Sequence, residues 1–198
     1  MRSLLALLLG CLVSIVVAAP PKMPPTPYYD WGACPFECCT YRDWYATSAI
    51  TAYSTRSDSS ASAFFVAKGE KVRALTGVVV TTRYGVTKLI APSKVGYSKS
   101  SKTPEAVLDL PSGEVLFTLH YEGEGSYLFW YRGNTYSDDV GDPGDPPQFE
   151  VVSKPDYVWW VKIKNAKGIV GWTDAGREFS NTDACGARLT IGWSGRDG

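Results

Sequence analysis

Two glutamates separated by one glycine are the side chains whose type and spacing best fit acid–base chemistry. Glu122 and Glu124 lie in the run Tyr-Glu-Gly-Glu-Gly, a few residues before Trp130 and Tyr131. Carboxylates beside aromatic rings are how glycan-cleaving sites are built. A solvated hairpin turn explains the same residues more simply, because glycine and acidic residues are typical of exposed turns. Glycan hydrolysis by Glu122 or Glu124 is therefore kept as an alternative hypothesis.

The single histidine, His120, restricts the remaining chemistry. Zinc peptidases and other sites that need two histidines are excluded. No signature cysteine lies near His120, and the sequence has neither a Ser-x-x-Lys nor a Gly-x-Ser-x-Gly motif. We therefore predict that His120 is a polar strand residue with a local hydrogen-bonding role. The chain as a whole is predicted to be non-catalytic, with no cofactor and no metal.

An aspartate-rich stretch between residues 135 and 147 is the one candidate for a calcium loop, since oxygen-rich loops bind calcium outside cells. Its members are Asp138, Asp139, Asp142 and Asp145. Their spacing does not match the EF-hand pattern, so a plain acidic surface loop is favoured.

The charge balance excludes a class of partners. The 198 residues include 20 lysines and arginines against 20 aspartates and glutamates, and no basic run occurs. Binding to nucleic acid by counterion release needs several basic side chains on one face. Nucleic acid is therefore not an expected partner.

Residues 1–19 have the features of a secretory signal peptide. Arg2 supplies the positive start, residues 4–17 are nearly all apolar, and Ala18 and Ala19 provide small residues for cleavage. The apolar run is too short to span a bilayer comfortably. We predict a secreted or periplasmic protein with no stable transmembrane insertion after cleavage. Lipidation of Cys11, which follows Leu-Leu-Gly, is the alternative.

Export changes the interpretation of the cysteines. Cys34, Cys38, Cys39 and Cys185 form an even set, and such sets in exported proteins usually close as disulfides. A vicinal Cys38–Cys39 bridge has awkward geometry, so we predict one short bridge within residues 34–39 and one long bridge to Cys185. The spacing lacks the CxxC knuckles of a zinc ribbon and the CxxC of a redox motif.

The residues after the signal predict a mainly β protein. Residues 20–27 are a stiff, proline-rich spacer that holds the folded part away from whatever precedes it. From Tyr28 onward, aromatic and β-branched residues come in short runs between Gly, Pro, Asn, Asp and Ser, which is the pattern of strands and turns.

The clearest predicted strand is residues 157–164, which forms a hairpin with residues 169–172. Alternation places Trp159 on one face and both Trp160 and Lys162 on the other. We predict that the face of Trp159 packs in the core and that the face of Trp160 is exposed to solvent.

A short internal echo suggests two related units. Residues 68–77 and 111–119 each contain Gly-Glu followed by an alternating strand. The predicted division is a signal peptide (1–19), a Pro-rich and Cys-rich segment (20–40), a first unit (41–100), a second unit with a long loop insertion at 135–147 (101–175) and a tail carrying Cys185 (176–198).

Residues 160–172, Trp-Val-Lys-Ile-Lys-Asn-Ala-Lys-Gly-Ile-Val-Gly-Trp, resemble the closing hairpin of a bacterial-type SH3 domain. That hairpin usually reads Trp-x-Lys-Val, a glycine-containing turn, then Gly-Trp. Residues 68–72 similarly resemble the family's Lys-Gly-x-x-Val turn and strand. The family's usual Asn-Val-Arg-x-Gly-Pro segment is absent, and residues 54–58 stand near its place. The resemblance implies small SH3-like β-barrels in an exported bacterial protein. Such barrels are commonly non-catalytic modules that bind cell-wall peptides or position a neighbouring domain.

Seven tryptophans and twelve tyrosines exceed what two small cores need, so some are expected to line a binding surface. Trp159 and Trp172 are predicted core residues. The predicted ligand-binding residues are Tyr121, Glu122, Glu124, Trp130, Tyr131 and Trp160.

The sequence as a whole predicts two SH3-like units stapled by disulfides. We expect a non-catalytic binding or scaffolding module of the cell envelope that recognises cell-wall peptide or glycan, or another envelope protein. The alternatives are an envelope glycan hydrolase using Glu122 or Glu124 and a structural, partner-regulating protein.

Overall fold

The computed structural model describes residues 22–98, 107–140 and 146–185, with only the backbone of Tyr97 and Ser98. The predicted signal segment, Cys11, Asp142 and Asp145 lie outside the described residues. The prediction of a mainly β fold is confirmed, since the described elements are strands apart from one short 3₁₀ helix. Across these ranges the structure contains no helix with the length and hydropathy to cross a bilayer.

In chain order the elements are β1 (Tyr28–Trp31), β2 (Asp43–Ala46), β3 (Ile50–Tyr53), β4 (Ser62–Val66), β5 (Lys71–Arg83), β6 (Gly85–Leu89), β7 (Ser93–Val95), β8 (Tyr97–Ser98), β9 (Leu108–Leu110), β10 (Val115–Gly123), β11 (Ser126–Tyr131), β12 (Asn134–Asp138), β13 (Phe149–Ser153), β14 (Asp156–Lys164), β15 (Val170–Thr173), the 3₁₀ helix (Gly176–Glu178) and β16 (Phe179–Ser180).

The strands form two large sheets with the same strand order. The first sheet runs β16-β2-β5-β14-β15-β3-β4, and β1 adds to β5. The second runs β13-β6-β10-β11-β12-β8, while β7, directly before β8, pairs with β9. Each strand of the second arrangement thus has a counterpart in the first. β13 corresponds to β16, β6 to β2, β10 to β5, β11 to β14 and β12 to β15. β7 and β8 together correspond to β3, and β9 corresponds to β4.

The sequence echo marks the same turn in both arrangements. Gly69, before β5, donates its N–H to the carbonyl of Ala46 at 2.7 Å, and Gly113, before β10, donates to Leu89 at 2.8 Å. Both glycines have positive φ, 82° and 93°, a conformation that glycine adopts without steric cost. The echo therefore reflects one local structure used twice.

The strand registers agree as well. Phe179 of β16 pairs with Ala46, and Phe149 of β13 pairs with Leu89, so a phenylalanine closes each sheet at the same position. Each long strand also has a register shift at the corresponding place, which leaves Leu75 of β5 and Leu119 of β10 without a partner in the ladder. An accidental similarity of strand order does not explain matching registers and bulges.

The two arrangements do not follow one another along the chain as the sequence predicted. The predicted hairpin of residues 157–172 exists as β14 and β15, but it belongs to the first sheet, where β14 pairs with β5. The second sheet, residues 85–153, is therefore inserted between β5 and β14. The predicted tail from residue 176 contributes β16 to the first sheet, and β12 occupies the start of the stretch predicted as a loop.

Each arrangement has its own hydrophobic core. The first core contains Trp44, Ala46, Ile50, Ala52, Phe64, Val66, Val72, Ala74, Val79, Trp159, Val161, Ile163 and Phe179. The second contains Leu89, Val95, Leu110, Leu116, Phe129, Tyr131, Tyr136 and Val140. Trp159 is a core residue as predicted.

Both predicted disulfides form. Cys34 bridges Cys39, and Cys38 bridges Cys185, with a Cα–Cα distance of 5.6 Å in each pair. The long bridge joins segments that also pair through their backbones, since Ala184 donates its N–H to the Cys38 carbonyl at 2.9 Å. The disulfide therefore fixes the C-terminal segment against the chain just before β2.

Gly85 lies at the point where the chain passes from the first sheet into the second, and it has no room for a side chain. A Cβ there would lie 2.3 Å from Thr118 Oγ1, 2.6 Å from the Ser153 carbonyl and 2.8 Å from Pro155 Cδ. Two of these three neighbours are backbone or a rigid ring, so the clash is not relieved by a rotamer change.

We expect Gly85→Ala to lower the free energy of unfolding by about 2–3 kcal/mol, the upper part of the usual cost of overpacking, because the backbone carbonyl and the proline ring cannot move aside. Thermal and urea unfolding measure the loss. Gly168→Ala is the matched control, because its Cβ meets nothing within 4 Å and it carries only the cost of a positive φ of 82°, about 1 kcal/mol. A loss at Gly85 no larger than the loss at Gly168 would contradict the steric argument.

Candidate functional site

The aromatic residues of β10 and β11 that the sequence predicts to bind a ligand do not line one groove. Trp130 and Tyr131 are successive residues of β11, so they point to opposite faces. Tyr131 is 7% exposed in the second core, and its hydroxyl donates to Glu114 Oε2 at 2.9 Å. Burial, and then the Glu114 carboxylate, raise the pKa of Tyr131 to about 12. Tyr131 is a core residue rather than a ligand-binding one.

The N-terminal segment of the described chain packs against Trp130. Its indole Nε1–H donates to the Lys22 carbonyl at 2.7 Å, and its ring packs edge-on against Tyr28 at 6.2 Å. Pro24, between these two contacts in sequence, is buried. The proline-rich segment was predicted to be a spacer, but its described part lies against the second sheet, because the segment supplies a carbonyl for the indole to bind.

Glu122 and Glu124 line an acidic cleft of about 450 Å³, together with Glu37 and Asp139. Ser137 donates its hydroxyl to Glu122, and Tyr121 accepts the Gly125 N–H at 3.1 Å.

The negative charge of Glu124, and then a hydrogen bond in which the Glu124 carboxylate is the acceptor, raise the pKa of Glu37. Among the described residues, those lining this cleft include no aromatic ring, so the combination of carboxylate and aromatic platform that suggested glycan hydrolysis is not present here.

Trp160 is buried, which corrects its prediction as a surface residue. It does face away from Trp159, as strand alternation requires, but only 8% of it is exposed. Tyr53 packs edge-on against its ring at 6.4 Å, and Arg56, from the loop after β3, borders the same cleft as Trp160 and Tyr29. The outer face of the first sheet is therefore covered around Trp160 rather than exposed to solvent.

A cluster of aromatic rings surrounds Arg56 on this outer face. The Arg56 guanidinium carbon lies 4.5 Å from the Trp31 ring centre, 5.4 Å from that of Tyr29 and 5.5 Å from that of Trp172. Such distances are those of cation–π contacts. We call this surface the Arg56 face, and its residues are Tyr29, Trp31, Arg56, Trp160, Lys162 and Trp172.

The Arg56 face combines exposed rings with positive charge. Trp31 is 60% exposed and Tyr29 is 42% exposed, and their rings stack with centres 6.3 Å apart. Lys162 Nζ lies 5.7 Å from the Trp172 ring centre. Trp172, predicted to be core, is only half-buried and lines a cleft of about 370 Å³ with Trp31 and Arg56.

Arg56 still has hydrogen-bonding capacity. Its Nη1 is shielded from solvent yet has no hydrogen-bond partner within the described part of the chain. A guanidinium presents donors in a fixed fork that fits a carboxylate, and aromatic faces pack against apolar parts of a ligand. The arrangement therefore suits a ligand that carries a carboxylate beside an apolar surface.

The sequence contained signals for part of this face. Tyr29 and Trp31 alternate directly after the proline-rich segment, which is the period of one strand face, and Arg56 lies in the segment noted above at residues 54–58. Neither signal shows that the loop returns over β1, because that contact joins residues far apart in sequence.

His120 lies between the two sheets. It is 1% exposed, and its Nε2 lies 3.0 Å from Asp30 Oδ2, while its ring packs 5.9 Å from the ring of Tyr157. Close by, Thr81 donates its hydroxyl to the Leu119 carbonyl at 2.9 Å. The predicted hydrogen-bonding role of His120 agrees with these contacts.

A scan against protein-family models, a search of curated proteins and a search of solved structures found no match to this chain.

Proposed function

We propose that this protein is a non-catalytic binding module of the bacterial cell envelope, built from two SH3-like units with the second inserted into the first. The repeated strand order, the repeated turn and the matching registers support two units of one kind. The hairpin that resembles a bacterial SH3 domain is β14–β15 of the first unit. Two disulfides support export to the periplasm or beyond, since such bonds persist in oxidising compartments.

We propose that the ligand binds at the Arg56 face. The observation that carries this proposal is the Arg56 guanidinium, held among three aromatic rings with its Nη1 unpaired in the described chain. The ligand class that fits is cell-wall peptide or glycan bearing a carboxylate. Arg56 binds the carboxylate, while Trp31 and Tyr29 pack against the apolar part of the ligand.

The test is co-sedimentation of the oxidised protein with purified peptidoglycan, followed by analysis of the supernatant for released fragments. We expect saturable pelleting without release. Arg56→Gln should weaken binding roughly ten- to a hundredfold, the value of a hydrogen-bonded charge. Trp31→Ala should also weaken it. Phe65→Ala is the matched control, because Phe65 is 73% exposed but does not border the clefts around Arg56.

Three results would overturn the proposal in different directions. Fragment release that is lost in Glu122→Gln or Glu124→Gln would favour the hydrolase alternative. Absence of pelleting, together with co-purification of another envelope protein, would favour the partner-regulating alternative. Equal loss of binding in Arg56→Gln and Phe65→Ala would place the ligand elsewhere.

A further inference from the structure

Asp30, His120 and Glu122 converge although they come from two different sheets. Asp30 lies on β1, which pairs with β5 of the first sheet, and the other two lie on β10 of the second. One ligand atom from each of the three side chains lies within 4.8 Å of the others. The imidazole is buried, and the side chain of Asp30 is 26% exposed.

The hydrogen bonds of His120 determine which ring nitrogen offers a lone pair. Nδ1 lies 3.0 Å from the Tyr121 backbone carbonyl, which only accepts hydrogen bonds, so Nδ1 carries a proton. In a neutral imidazole Nε2 then carries a lone pair, and it lies 3.0 Å from Oδ2 of the Asp30 carboxylate. Two acceptors this close need a positive group between them, either a second ring proton or a metal ion.

We propose that Asp30 Oδ2, His120 Nε2 and a Glu122 carboxylate oxygen bind a divalent metal ion of the zinc type. One imidazole with two carboxylates is a donor set that zinc accepts, with water in the fourth position. Two ligand atoms about 2.1 Å from zinc at the tetrahedral angle are about 3.4 Å apart, close to the Nε2–Oδ2 distance. The imidazole disfavours calcium and magnesium, which prefer oxygen ligands.

The surroundings of the three side chains fit this role. The Tyr121 carbonyl fixes the tautomer of His120, and the Ser137 hydroxyl donates to Glu122, which are the contacts that orient metal ligands. Glu122 also borders the acidic cleft of about 450 Å³, which gives an entry path for a cation and room for water. A metal bound here links β1 to β10 and so joins the first sheet to the second.

The test is metal binding by the intact oxidised protein after treatment with a chelator. Calorimetric titration with Zn²⁺ measures affinity and stoichiometry, and titration with Co²⁺ gives an absorption spectrum that reports the ligand geometry. We expect one equivalent of Zn²⁺, a rise in melting temperature with Zn²⁺ concentration, and little competition from Ca²⁺.

Variants separate this site from the neighbouring acidic cleft. Asp30→Asn and Glu122→Gln should each weaken Zn²⁺ binding at least tenfold and change the Co²⁺ spectrum. Glu124→Gln and Asp139→Asn are the matched controls, since they remove cleft carboxylates outside the trio, and they should change affinity less than about threefold. Circular dichroism of each variant verifies that it is folded.

Three results would overturn the inference. These are no Zn²⁺ binding by the folded parent protein, unchanged binding in folded Asp30→Asn, and equal losses in the trio and control variants. In the first case the His120–Asp30 pair is purely structural.

Discussion

Replacing Cys38 and Cys185 together by serine is expected to lower the free energy of unfolding by about 5 kcal/mol. The two cysteines are 147 residues apart, so their bridge closes most of the described chain into one loop. In the chain-entropy treatment the stabilisation grows with the logarithm of loop length and reaches about 5 kcal/mol for a loop of this size. Urea unfolding of the oxidised parent and of the double variant measures the difference.

The short bridge is the matched control for this prediction. Cys34 and Cys39 are five residues apart, for which the same treatment gives about 2 kcal/mol. Each double variant keeps the other disulfide and leaves no unpaired thiol among these four cysteines. Equal losses in the two double variants would contradict an effect set by loop length. A larger loss in the short-bridge variant would place the stabilisation in local contacts around residues 34–39.

The features that depend on local chemistry could be predicted from the sequence. The mainly β class follows from short alternating runs, and the two disulfides follow from four cysteines and the poor geometry of adjacent ones. The echo around Gly69 and Gly113 was visible because both turns need the same positive φ and so the same residue type.

The order of the two units could not be predicted from local patterns. Alternation identifies β14 as a strand, but it does not show that its partner is β5, some eighty residues earlier in the chain. The polar stretch near residue 100 resembles a boundary, yet the chain leaves the first sheet at Gly85 and returns at Asp156. Sheet partners are chosen by tertiary packing, which no strand period encodes.

The same limit explains why local patterns in the sequence do not identify the candidate site. Alternation correctly places Trp160 opposite Trp159, but it does not show whether that face is covered. Tyr53 packs against Trp160 and Arg56 borders the same cleft, yet both are more than a hundred residues away from it in sequence. Conversely, Tyr29 and Trp31 are exposed, although two alternating aromatic residues are a weaker signal than the longer aromatic runs.

Trp44→Ala is expected to lower the free energy of unfolding by about 3–5 kcal/mol, the range for a large aromatic removed from a packed core. Trp44 is 0% exposed and lies at the centre of the first core, with ring centres of Phe179, Tyr41 and Trp159 at 5.5, 5.8 and 6.1 Å. Its indole N–H also donates to the Thr40 carbonyl at 2.9 Å, so the substitution leaves that acceptor unpaired. Urea unfolding measures the loss.

Trp31→Ala is the comparison that separates a loss of stability from a loss of binding. Trp31 is 60% exposed, so its loss should cost about 1 kcal/mol or less while weakening binding to peptidoglycan. Trp44→Ala, studied at a temperature where it remains folded, should bind as the parent does, because Trp44 does not border the Arg56 face. A tryptophan that stabilises and a tryptophan that binds are thus separable in one chain. Similar stability losses for both variants would contradict the assignment of Trp31 to a ligand surface.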